Sequence, residues 1–281
     1  MLCSLVCMAN RLAGKGYCMA RFATLYSGSS GNAAVVEENG RFLLIDMGAS
    51  CKATTEALHR IGLEMGQMEA ILVSHEHIDH IRGLRVFLKR YPVPVYASAG
   101  TVSALWRMDA VPPEASLFIM EEQKQNVGAF SVEGFFLPHD AAECMGFHVA
   151  TPRGETMTMA TDLGVLHYSV FQKMQKSALV ALESNYDPHM LRTGPYPGML
   201  KRRIESEWGH LPNKEASRAV AALVDGGCRS IALCHLSREN NTPRLAAQAV
   251  EEAFFNAGMR KPDDLVLQVA PRHEPGLWMD F

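Results

Sequence analysis

The chain has 281 residues, enough for one large domain or two modest ones with a sizeable core. Hydrophobic residues make up 48 % and charged residues 20 %, an ordinary globular balance, and the formal charge of -3 argues against coating nucleic acid through bulk electrostatics. Local phosphate binding stays open, because bound metal would add positive charge outside that count.

Residues 1–19 are mildly apolar but lack a basic start and a clear cleavage site, so they do not read as a secretory signal. They are expected to be an N-terminal extension, not necessarily a native start, ahead of a single domain over 20–281. The seven cysteines are odd in number and form no CxxC pair. That pattern reads as reduced, mostly buried thiols in a cytoplasmic setting. No apolar run reaches the ~18 residues that span a bilayer, so no membrane partner is expected.

Short runs rich in Val, Ile, Leu and Phe predict strands at 22–26, 33–37, 42–45, 70–73, 93–97, 130–137, 145–151, 156–160, 179–182, 230–234 and 265–269. Apolar residues at three- and four-residue spacing predict helices over 54–61, 81–89, 165–175, 213–224 and 243–257. Thr242-Pro243 and Pro212-Asn213 are start signals for the last two. Helices follow strands in both halves, which implies a layered α/β domain with mixed sheets and helices outside.

The stretch SHEHIDHIRG, residues 74–83, packs three histidines and two carboxylates behind the apolar run Ala70-Ile71-Leu72-Val73. A solvated turn is the ordinary reading of such a cluster. Other strand ends argue for a metal site instead. The run at 130–137 leads into His139, that at 156–160 into Asp162, and that at 230–234 into His235. His75 and His77 point to one side of an extended segment, while Asp79 and His80 fall where the chain turns into the next helix and can address a second ion. Imidazole and carboxylate donors suit zinc, manganese or iron. A carboxylate from Asp162 can bridge two ions. The HExxH metalloprotease motif fails, because Asp79 stands where its second histidine would be.

His75-Glu76-His77-Ile78-Asp79-His80 resembles the HxHxDH signature of the metallo-β-lactamase superfamily, and Leu44-Ile45-Asp46-Met47-Gly48 resembles its early Asp-x-Gly turn. His139, Asp162 and His235 follow in the family's order. The resemblance covers the chain from about residue 20 and implies an αββα sandwich holding two divalent metal ions. One ion would be held by His75, His77 and His139, the other by Asp79, His80 and His235, with Asp162 shared. A hydroxide between the ions would be the nucleophile, oriented by Asp79. Glu76 alternates away and is not expected to ligate.

Two further stretches point to phosphodiesters. Trp208-Gly209-His210-Leu211 resembles the glycine-histidine stretch that precedes the last ligand in ribonuclease Z, which would make His210 a phosphate contact and the general acid. Ser27-Gly28-Ser29-Ser30-Gly31-Asn32 resembles the opening of small phosphodiesterase-like members. With Glu183-Ser184-Asn185-Tyr186-Asp187 and the run from His235 to Pro243, it is similar to the bacterial WalJ (YycJ) type. That resemblance implies a DNA exonuclease working 5′-to-3′ on a nucleic-acid partner. Ser27, Asn32, Asn185, Tyr186, His210, Ser237 and Asn240 are the candidate substrate contacts. The spacings leave no room for a long tRNA-gripping arm or a β-CASP insertion. Hydrolysis of a small cyclic nucleotide or a thioester is the alternative enzyme class. A non-enzymatic sensor of the same fold is the third.

Overall fold

Strands that are apolar throughout, without polar alternation, need cover on both faces. A computed structural model, which describes residues 19–281, shows how they obtain it. The expected extension over 1–19 lies, but for Met19, outside the described residues. In chain order the strands are β1 (Arg21–Tyr26), β2 (Ala33–Glu38), β3 (Arg41–Ile45), β4 (Met68–Leu72), β5 (Val95–Ala97), β6 (Leu117–Ile119), β7 (Gln125–Val127), β8 (Phe130–Phe136), β9 (Met145–Ala150), β10 (Thr156–Ala160), β11 (Leu179–Glu183), β12 (Ser230–Cys234), β13 (Val266–Val269) and β14 (Met279–Asp280). The helices are α1 (Cys51–Arg60), α2 (Ile78–Ile81), α3 (Leu84–Arg90), α4 (Ala99–Arg107), α5 (Tyr168–Met174), α6 (Pro188–Thr193), α7 (Gly198–Ile204), α8 (Asn213–Asp225) and α9 (Pro243–Asn256).

Two mixed seven-stranded sheets result, ordered β14-β1-β2-β3-β4-β5-β6 and β13-β12-β11-β10-β9-β8-β7. Side chains alternate between two apolar layers. Leu43 and Ile45 of β3 meet Ala181 of β11 and Ala232 and Cys234 of β12 between the sheets. Phe42 and Leu44 turn outward under α1 and α3, and Val180, Leu182, Ile231 and Leu233 turn outward under α5, α8 and α9. This is the expected αββα sandwich. Fully burying each such Leu, Ile or Phe contributes roughly 1.5–3 kcal/mol, and the central layer is what clamps the two sheets together.

The expected helix over 81–89 is two helices, α2 and α3. The break is at Gly83, whose N–H leaves the helical pattern to bond Met47 O at 3.0 Å, an approach so close that a Cβ there would lie 2.1 Å from Ala49 O. The short strands β6, β7 and β14 and the helices α4, α6 and α7 go beyond the sequence reading. The helix α4 starts at an N-cap, Ser98, whose side chain accepts the Thr101 N–H. Among the described residues no helix is long and apolar enough to cross a membrane. Cys51, Cys144, Cys228 and Cys234 are buried free thiols.

Candidate metal centre

The ends of β4, β8, β10, β11 and β12 open on one edge of the sandwich. Behind β4, His75 is fully buried, His77 is the N-cap of α2, and Asp79 and His80 occupy its short length. The His75 and His77 rings stand 4.5 Å apart, and the His139 ring, from beyond β8, is 5.1 Å from each. One donor atom from each of these three lies within 4.8 Å of the others, and the same holds for Asp79, His80 and His235. Asp162 sits between the two sets. Its Oδ2 is 3.4 Å from His80 Nε2, and its Oδ1 is 3.9 Å from His139 Nε2. The seven expected ligands are thus brought together.

Most of the imidazoles are tethered through Nδ1. His80 donates to Asp46 Oδ2 at 2.7 Å, His139 to the Gly209 carbonyl at 3.0 Å, and His235 to Glu183 Oε1 at 2.8 Å. Those acceptors carry no proton to give, so the histidines carry it on Nδ1 and leave Nε2 for another partner. His75 Nδ1 is 3.0 Å from Ser74 Oγ. The inner atoms His75 Nε2, His235 Nε2 and Asp162 Oδ2 are buried with no hydrogen-bond partner. Each such orphan costs about 1–3 kcal/mol, and three converging orphans of ligand type fit divalent cations as their missing partner.

Electrostatics follows the same division. Burial alone would lower the His80 pKa, but the Asp46 and Asp162 carboxylates outweigh it and lift it to about 9. Burial opposes a raised His235 too, and the Asp162 carboxylate, 3.0 Å from Nδ1, overrides it together with Asp79 and Glu183. Asp162 would be pushed up by burial, yet the His235 and His80 charges hold it well below the usual carboxylate range. His75 is pulled well below the usual histidine value, by burial first and then by His80.

Backbone strain is concentrated here. Asp46, Asp162 and His235 have φ of 61°, 65° and 55°, left-handed values costing about 1–2 kcal/mol each for residues with a side chain. Gly48 is needed for close approach: a Cβ would lie 1.6 Å from the Asp79 carbonyl oxygen. The Asp46–Gly48 turn therefore cradles the ligand loop, with Met47 N–H bonding His80 O at 2.7 Å.

Two supporting carboxylates, Asp46 and Glu183, lie within the sequence motifs without a role that the sequence assigns. Asp46 holds His80 and also accepts from Ser74 N–H and Oγ. Glu183, fully buried, is the hub of the other side. Its Oε1 takes His235 Nδ1 and, at 2.9 Å, His210 Nδ1, while its Oε2 accepts the Leu163 and Leu211 N–H groups. Burial pushes its pKa up, but the His210 charge and the hydrogen bonds of both histidines bring it down to about 2. With its oxygens taken, Glu183 is a tether rather than a ligand, although it lies within ligand distance of Asp162, His210 and His235. The signal for it was a lone acid at the end of an apolar strand.

His210 stands at the rim of the cluster, its ring 5.1 Å from His139 and 5.2 Å from His235. Glu76 Oε1 instead accepts the Ala142 N–H at 2.8 Å, as its alternation implied. The other expected substrate contacts are all buried. Ser27 Oγ accepts the His235 N–H, and Asn185 Nδ2 donates to His235 O. Asn32 Nδ2 lies 3.0 Å from His80 Nε2, and Ser237 Oγ accepts from Asn240 N–H and Nδ2. Tyr186 packs with Leu191 and Ile204. Ser27 and Asn185 hold the backbone on both sides of the His235 peptide. In the basic run of α7, Lys201 donates to the Arg192 and Gly194 carbonyls, and Arg203 pairs with Asp140 beside His139.

The family model described as Beta-lactamase superfamily domain matches residues 41–235. Exodeoxyribonuclease YycJ of Bacillus anthracis is 36 % identical over 242 residues, 84 % of this chain and 91 % of the relative. Exodeoxyribonuclease WalJ of Streptococcus pneumoniae serotype 2 (strain D39) is 32 % identical over 245 residues, 85 % of this chain and 90 % of the relative. The crystal structure of the metallo-β-lactamase fold protein YhfI from Bacillus subtilis superposes with a TM-score of 0.67 at 14 % identity, covering 92 % of this chain and 99 % of that one. Ligand order, fold and family match agree: the chain belongs to the metallo-β-lactamase superfamily of metal-dependent hydrolases.

Proposed function

We propose that the chain is a two-metal phosphodiester hydrolase, a DNA exonuclease releasing nucleotides 5′-to-3′. The observation that carries the reading is His210, an imidazole tethered by Glu183 at the rim of a seven-residue ligand cluster. Its Nδ1 is committed to that carboxylate, so Nε2 is the nitrogen that can hand over a proton. Such a donor matters most for an alkoxide leaving group. A thiolate, with a thiol pKa near 8.5, departs without help, which sets the thioester alternative lower.

His75, His77 and His139 would hold one divalent ion, Asp79, His80 and His235 the other, with Asp162 between them. Bound there, zinc, manganese or iron would polarise phosphoryl oxygens and lower the pKa of a water. Asp46 and Glu183 keep the ligand histidines in the tautomer that offers Nε2 inward. Glu183 couples the last ligand to the proton donor, because one of its oxygens serves both. The relatives named as exodeoxyribonucleases support DNA as the partner.

The test is cleavage of 5′- and 3′-labelled single- and double-stranded DNA by the metal-loaded protein, with Asp79→Ala as control. Release from the 5′ end, lost in the variant, is expected. A metal-loaded protein that leaves DNA intact overturns the reading.

A further inference from the structure

Strands β10 to β13 run parallel, so their C-terminal ends open on one edge. Three of them deliver Asp162, Glu183 and His235. The fourth, β13, leads into Ala270, whose N–H bonds Leu233 O at 2.9 Å, and then into Arg272.

Arg272 is oddly placed for a cation. Its Nη1 is buried and has no hydrogen-bond acceptor among the described residues. It lies over Gly28, where a Cβ would come 2.9 Å from Nη1 and 3.2 Å from Leu236 O. The guanidinium is therefore lodged between two loops that both reach the metal centre. Ser27 Oγ accepts the His235 N–H at 2.8 Å. Asn32 takes the Gly28 N–H on Oδ1 at 2.8 Å and sets Nδ2 3.0 Å from His80 Nε2.

The surroundings add positive charge. Burial lowers the Arg272 pKa, and the Arg238 cation lowers it further, which Glu239 and Tyr196 oppose. Glu239 is 3.5 Å from Arg238, so the nearby carboxylate already has a partner. Arg82 donates to Ser30 O at 2.9 Å, bringing a third guanidinium to the same loop. A half-buried guanidinium with an unfilled donor calls for an anion, and phosphate oxygens match its planar fork.

We propose that Arg272, with Arg238 beside it and Arg82 farther along the Ser27–Asn32 loop, forms a subsite for the phosphate of the nucleotide next to the scissile one, guiding the strand along that loop. The proposal rests on the nucleic-acid reading above. Arg272 binds and positions; it does not touch the reacting atoms.

The test uses Arg272→Gln and Arg272→Lys in the full chain. For a single-stranded oligodeoxynucleotide cut by the metal-loaded protein, Arg272→Gln is expected to raise KM about tenfold with little change in kcat, the worth of one charge-assisted contact. In fluorescence anisotropy with metal-free protein, the slope of log affinity against log salt should flatten by about 0.7, one phosphate contact on a single strand. Arg272→Lys should restore the slope and only part of the KM. The melting temperature should hold, since no internal partner is lost. Wild-type KM and slope in Arg272→Gln, or a KM change accompanied by a lowered melting temperature, would overturn the subsite while leaving the nuclease reading intact. A wild-type protein that hydrolyses bis(p-nitrophenyl) phosphate but neither binds nor cuts DNA would remove both.

Discussion

Glu183→Gln is the substitution that probes the centre most finely, because it changes one buried oxygen into an amide and no shape. In the native protein the carboxylate accepts five hydrogen bonds, from His210, His235, Asn185 Nδ2, Leu163 N–H and Leu211 N–H. A glutamine retains one acceptor oxygen, so the donors on the other side, three at Oε1 or two at Oε2, face an NH₂ group. If the amide keeps the backbone pair, both histidine tethers go. Each is a charge-assisted bond worth about 1.5–3 kcal/mol, so about 3–6 kcal/mol of positioning is removed. Part of that appears in metal affinity, which should fall about 10- to 100-fold as His235 loses its orienting partner. The rest appears in turnover, through a mis-set His210, at about 10²- to 10⁴-fold in kcat. Competition with a chromophoric chelator reads the first, and saturating-metal kinetics on a small diester read the second. Glu183→Asp, which keeps the charge at shorter reach, should recover part of each. A Glu183→Gln protein with native metal affinity and kcat within twofold would refute the reasoning.

Metal uptake should release protons, because His80, with a pKa raised from 6.5 to about 9, and His235, also raised, hold Nε2 protons that a cation must displace. Apparent affinity should therefore climb with pH between 6.5 and 9; calorimetry in buffers of different ionisation enthalpy counts the protons, and a flat profile contradicts the assignment. The stability of the metal-free protein should run the other way, since the His80–Asp46 pairing is fully present below pH 6.5 and lost as pH rises through 9, visible in denaturant midpoints. His210→Ala should cut kcat about 10²- to 10⁴-fold with metal content unchanged, and a variant of normal activity would remove the acid role. Gly48→Ala should displace Asp79, whose carbonyl would sit 1.6 Å from the new Cβ; loss of metal and a lower melting temperature are expected, and a native-like variant would show that the turn can give.

The ligand set was legible because its residues are spaced by strand ends, and a run such as His75-Glu76-His77-Ile78-Asp79-His80 admits few other uses. The eleven predicted strands are all present; β3, β4, β11 and β12 are apolar on both faces and the sandwich buries both, while β8 alternates Phe130 and Val132 with half-buried Ser131 and Glu133. What escaped reading depends on three-dimensional neighbours. β6, β7 and β14 are two or three residues long, too short for periodicity to register. The split between α2 and α3 comes from the Gly83 N–H bonding Met47 O, a contact between distant segments. Glu183 looked like the polar end of a strand, and its role exists only because His210, His235 and two backbone N–H groups converge on it. Of the candidate contacts, Ser27, Asn32 and Asn185 lie against the cluster histidines. Sequence did not reveal that these side chains turn inward onto His80 and the His235 backbone.

The most direct test of the account is metal stoichiometry by mass spectrometry of the native protein and of His77→Ala and His235→Ala after reconstitution and desalting. Two ions per chain in the native protein and about one in each variant are predicted, because each substitution removes a ligand from one site and leaves the other three-residue set whole. One ion in the native protein, or two retained in both variants, would contradict the two-site centre on which the mechanism rests.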